Sequence, residues 1–120
     1  MKISKEDIVR IARGFGGVLR NSSSLDFALE KQEDDKLGEY TKLAYLLRAI
    51  LVDPPYSDGN KKTAMFVAFD FASQFNKTID DELLKHHLLS IASKNITTIR
   101  VIGERMQNAI KWKENKGNFE

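Results

Sequence analysis

The sequence predicts an all-α protein: a single compact bundle of about six helices around one central buried helix. Three observations carry this expectation. Apolar residues recur at three- and four-residue spacing along nearly the whole chain, while the alternation of a half-buried strand is nearly absent. Candidate caps and breakers divide that pattern into segments of ordinary helix length. The 120 residues, 42% hydrophobic and 30% charged, suit one globular domain with little room for a second.

The elements follow in order. Ser4 opens the first helix, with Asp7 three residues on as its capping-box partner, and Ile8, Val9, Ile11, Ala12 and Phe15 form its apolar stripe. Gly14, Gly16 and Gly17 end it. Val18 to Ser24 reads as loop, and Ser22, Ser23 and Ser24 cap a short helix carrying Leu25, Ala28 and Leu29. After a charged connector, Glu33 to Lys36, a stronger helix places Tyr40, Leu43, Ala44, Leu47, Ile50 and Leu51 on one face, and Pro54 and Pro55 stop it. Ala64 to Phe69 is apolar on every side and continues through Phe71 and Ala72, the pattern of a central helix packed by neighbours on most sides. Thr78 and Asp81 read as a second capping box, before a helix with Leu83, Leu84, His87, Leu88 and Ile91 inward. Thr97 or Thr98 caps the last helix, which turns Ile99, Ile102, Met106 and Ile110 inward. Trp112 is expected to anchor that helix by packing. The expected organisation is a helical domain over residues 1–113 and a polar, frayed tail over 114–120.

Composition excludes several kinds of chemistry. With no cysteine there is no disulfide, no thiol nucleophile and no cysteine-ligated zinc. A net charge of +2 is too weak to argue for nucleic acid. No apolar run approaches the roughly 20 residues a membrane span needs. A cytoplasmic location is expected. His86 and His87 are adjacent on a helix and point about 100° apart, so they make no metal pair; His87 is read as a core residue and His86 as exposed.

The most informative stretch is Asp53 to Ala64, DPPYSDGNKKTA. It places Asp58, Gly59, Asn60, Lys61 and Lys62 at the start of the apolar helix. The first N–H groups of a helix lack internal partners, and the helix dipole adds partial positive charge there, which favours anions. Gly59 permits a tight turn and a close approach by a ligand. The two lysines add charge, and Asp58 is an oxygen ligand of the kind Mg²⁺ prefers beside a phosphate. The same residues also make an ordinary turn in which Asp58 or Asn60 caps the helix. The spacing is not a P-loop, because Pro54 stands where its first glycine would fall.

Pro54 to Ala64 resembles the signature of the Fic/Doc (fido) family, His-Pro-Phe-x-Asp-Gly-Asn-Lys-Arg-Thr-Ala. The lysine after the asparagine is closer to the Doc, or death-on-curing, branch. Gly16-Gly17, Leu19-Arg20-Asn21 and Leu25 to Leu29 are similar to the early glycine-rich loop and short helix of Doc-like proteins. Leu43 to Val52 and Ile91 to Ile110 look like the helices before the motif and at the close of that fold. The resemblance implies a small helical bundle and a reaction with ATP and Mg²⁺, in which AMP or phosphate passes to a protein hydroxyl. In that scheme Asp58 holds Mg²⁺, Gly59 and Asn60 cradle phosphate, and Lys61 and Lys62 neutralise the transferring group. The motif histidine would be the general base.

That base is absent. Pro54 occupies its position, with no side-chain proton acceptor and no backbone N–H, and general-base catalysis contributes about 10²–10⁴-fold. Lys62 replaces arginine, keeping the charge and losing the two-point grip on phosphate oxygens. Tyr56 replaces phenylalanine, a mild change. Asp53 is the one adjacent residue that could stand in as base. Thr78 to Glu82 carries the first part of the family's inhibitory motif, and a helix start accounts for it better. The leading expectation is a catalytically impaired Doc-like protein that retains a nucleotide-binding loop and acts on a protein target or an antitoxin-like partner. The alternatives are an active AMP-transferase or Doc-type kinase using Asp53, and a helical interaction module that binds no nucleotide.

Overall fold

Ser4 begins the first helix in the manner its capping box requires: its Oγ accepts the Asp7 N–H at 3.1 Å, and α1 runs Lys5–Gly14. The hydrogen bonds that Ser4 returns to the Asp7 carboxyl hold it below the usual carboxylate range, with Arg10 adding to the effect. The structure, a computed structural model, describes residues 1–16, 22–52 and 59–112. Within them the chain continues through α2 (Ser23–Lys31), α3 (Glu39–Leu51), α4 (Asn60–Gln74), β1 (Lys77–Ile79), α5 (Asp81–Ser93), α6 (Ile99–Ala109) and β2 (Ile110–Trp112). The expected mostly helical architecture is therefore present. Gly17, the segment 18–21 and the tail 113–120 lie outside the described residues.

The centre of the bundle is α3. It packs against α2, α4, α5 and α6, and Leu43, Ala44, Leu46, Leu47, Ala49, Ile50 and Leu51 are all buried on it. Even Lys42 is nearly covered, its ammonium 3.1 Å from Glu39. The sequence points to α4 as the central helix, packed on most sides; the centre is α3 instead, although α4 does meet α1, α3, α5 and β1. α4 buries Thr63, Ala64, Val67, Ala68, Phe71 and Ala72 against α1, α3 and α5, yet leaves Phe66 and Phe69 half in solvent. Apolar character all round is a property of the chain; coverage all round needs a neighbour on every side, and on that face the Phe15 ring lies 5.4 Å from that of Phe66 while both Phe66 and Phe69 stay half exposed.

Two glutamines tie the first residues to the bundle by their backbone. The Gln74 amide bonds both the N–H and the C=O of Lys2, each at 2.8 Å. Gln32, itself buried, does the same to Ile3 at 3.1 and 2.9 Å.

The stretch from α4 to α5 departs from expectation. Asn76 takes a left-handed turn with φ 52°, and Lys77, Thr78 and Ile79 pair antiparallel with Trp112, Lys111 and Ile110. Thr78 is thus a strand residue, and the second capping box does not form. Asp80 caps α5 instead, its Oδ1 accepting the Leu83 N–H at 3.1 Å. Thr98, as expected, stands at the N-cap of α6, without a side-chain cap bond. Ile110 is buried as foreseen, but in β2, where its carbonyl accepts the Tyr40 hydroxyl at 2.5 Å. Trp112 is 72% exposed, so it is not the expected packing anchor; its ring lies 3.9 Å from the Lys77 ammonium. Strands of three residues are too short to show an alternation that sequence reading can detect.

Candidate functional site

α4 starts at a glycine because the backbone there demands one. Gly59 is the N-cap, at φ 74° and ψ 13°, a left-handed conformation that side chains resist. Space excludes a side chain as well: a Cβ at Gly59 would sit 2.7 Å from the Phe15 Cβ and 3.1 Å from the Phe15 carbonyl oxygen. The sequence expects a ligand to approach this glycine closely; the group found there is Phe15, at the end of α1. Buried Thr63 closes the first turn, donating from both its hydroxyl (2.8 Å) and its N–H (2.9 Å) to the Gly59 carbonyl.

Phe15 organises the surroundings of this turn. Its ring is 5.4 Å from that of Phe66, and the Lys62 ammonium lies 5.6 Å from its centre, within range of a weak cation–π contact. Lys61 and Lys62 are exposed and Asn60 is half-buried. Of the residues singled out in the sequence, Gly59, Asn60, Lys61 and Lys62 thus share one helix start. Asp53, Pro54, Tyr56 and Asp58 lie outside the described residues. No group of three or more His, Asp or Glu side chains that could hold a metal ion occurs among the described residues, and the expected Mg²⁺ ligand, Asp58, is not one of them.

The histidines take the ordinary roles foreseen for them, with one adjustment. His86 is exposed. His87 is half-buried rather than fully in the core, with Nε2 3.1 Å from the Asn108 side-chain oxygen across the α5–α6 seam.

A second region escaped the sequence reading. Phe27 on α2 and Tyr45 on α3 meet edge to face at 5.9 Å. The Lys31 ammonium lies 4.9 and 5.5 Å from their ring centres, and the Arg48 guanidinium 5.2 Å from that of Tyr45. The available signal was spacing: Phe27 with Lys31 four residues apart, and Tyr45 with Arg48 three apart, each pair on one helical face.

No helix among the described residues is long and apolar enough to cross a membrane. Comparison of the chain with protein-family models, curated proteins and solved structures gives no match.

Proposed function

We propose that the chain is a degenerate Doc-like fido protein, which seats the phosphates of a nucleotide on the first turn of α4 and acts through protein binding with its transfer chemistry impaired. The observation that carries this reading is the junction at Gly59, where a left-handed glycine leads into a 15-residue helix whose first turn presents Lys61 and Lys62 to solvent. A helix start reinforced by cations attracts anions, and the resemblance assigns the phosphate cradle to the same residues. Asp58 is the residue assigned to Mg²⁺, which takes carboxylate and phosphate oxygens. ATP with Mg²⁺, when bound, supplies the group to be gripped or transferred. Pro54 offers nothing to deprotonate an acceptor, and Asp53 is the residue on which an active AMP-transferase or kinase would depend. The partner in either case is a protein target or an antitoxin-like protein.

Calorimetry with ATP and Mg²⁺, followed by radiolabel transfer in lysate, tests the proposal. Binding is expected, weakened about tenfold when Lys61 and Lys62 are both changed to alanine. Transfer is expected to be absent from the wild type and to emerge in Pro54→His. A wild type that labels protein and loses the activity on Asp53→Ala supports the active enzyme instead.

Phe15 favours a second reading, a helical interaction module that binds no nucleotide, because the open face of Gly59 is already taken by a side chain. The melting temperature separates the two: a ligand at 100 times its Kd stabilises by about 2.7 kcal/mol, whereas this reading expects ATP and GTP to shift nothing.

A further inference from the structure

A cavity of about 410 Å³ opens between α2, α3 and the turn before α6, within the roughly 300–1,000 Å³ range of small-molecule sites. Phe27, Tyr45 and Val52 form its apolar walls, Ser24 and Thr97 its polar rim, and Arg48 reaches into it. Among the described residues that line it, none is acidic.

Arg48 is half-buried and cationic. A guanidinium has five N–H donors. Among the described residues it makes one hydrogen bond, a long one of 3.3 Å to the Thr97 carbonyl, and no ion pair. On α2, Asp26 is committed elsewhere: it lies 2.8 Å from the Lys5 ammonium and accepts the Ser22 hydroxyl at 3.1 Å. Those contacts, Lys5 foremost, hold its carboxyl below the usual value. The planar fork of Arg48 matches carboxylate and phosphate oxygens two at a time, and the Phe27–Tyr45 pair beside it offers aromatic surface for a flat group.

We propose that this cavity binds a small anion carrying a flat ring, with its carboxylate or phosphate gripped by Arg48 and its ring laid against Phe27 and Tyr45. The site is independent of the α4 first turn and of the nucleotide proposed there. Among the described residues that line the cavity Arg48 is the one cation, with the Lys31 ammonium 4.9 Å from the centre of the Phe27 ring that walls it, so a single anionic group suffices for its ligand.

Amide NMR titration of the full chain with phenyl phosphate and with benzoate tests the proposal, with inorganic phosphate and phenol as controls that each keep one half of the ligand. Both ring-bearing anions are expected to shift the amides of Ser24, Phe27, Arg48 and Thr97, at least about fivefold more tightly than either control. The tighter of the two names the anion as phosphate or carboxylate. Arg48→Gln is expected to weaken binding at least about tenfold, with Arg48→Lys intermediate, and the double alanine change at Lys61 and Lys62 to leave it unchanged. Phe27→Ala, on an exposed ring, repeats the test should Arg48→Gln disturb the fold. Overturning results are an absence of shifts at about 10 mM of either probe, shifts confined to residues 59–62, or affinity that survives both Arg48→Gln and Phe27→Ala.

Discussion

α3 and α4 are both rich in apolar residues, yet they live in different surroundings. α3 is enclosed by four helices and buries even Lys42. α4 has one covered face, centred on Phe71, and one open face carrying Phe66 and Phe69. Hydropathy sets what a helix can tolerate burying; the number of elements folded over it decides what is buried. The open face of α4 is the one beside α1, where Phe15 packs on Gly59 and Phe66. Chemistry at the first turn of α4 and exposure further along it thus belong to the same incompletely covered side.

Side-chain truncation tests that contrast most directly. Phe71, fully buried and 5.1 and 5.0 Å from the rings of Tyr40 and Phe75, should cost about 3–5 kcal/mol on change to alanine. Leu47→Ala in the centre of α3 should cost about 2–5 kcal/mol. Phe66→Ala, 51% exposed and with one ring neighbour, should cost about 1 kcal/mol. Urea unfolding measures all three, and equal losses at positions 66 and 71 would break the distinction between the two faces.

Gly59→Ala probes the join between α1 and α4. The left-handed backbone costs a side chain about 1–2 kcal/mol, and crowding against the Phe15 Cβ at 2.7 Å adds about 1–3 kcal/mol. Thermal unfolding reads the sum. A variant as stable as the wild type would mean that Phe15 does not pack there, which would return the face of Gly59 to a ligand.

The smallest expected effect lies at the opposite end of α1. The Asp7 carboxyl is held below its ordinary value by Ser4, so its contribution is present above the unfolded pKa of about 3.9 and is lost as pH falls through the folded one. Melting curves of Asp7→Asn and wild type should differ by a constant amount above about pH 5 and converge below it. A gap that persists at low pH would assign Asp7 a role other than its charge.

The helices were legible because each repeats its spacing over three or four turns, as with Tyr40 through Leu51, and because Ser4 and Asp7 mark a start in their own local chemistry. What stayed hidden depends on distant partners. Thr78 looks like a cap until Lys111 pairs beside it. Ile110 reads as helical because its inward position is right and only its backbone partner, Ile79, tells otherwise. At the candidate site, Gly59 was recognised as a special backbone position, but nothing local could say that Phe15, 44 residues earlier by number, fills the space above it. The spacing of Tyr45 and Arg48 is legible, but nothing local says that the Thr97 carbonyl, from a distant turn, lies beside Arg48.

The grip of Gln32 and Gln74 on Ile3 and Lys2 is made on main-chain atoms alone. Such a clasp is indifferent to what position 2 displays, so that residue can drift under mutation without loosening the strap. The two carboxamides have no such freedom: exchanging either for glutamate deletes its donor, opens half of a two-point lock, and sets a bare charge against a peptide oxygen.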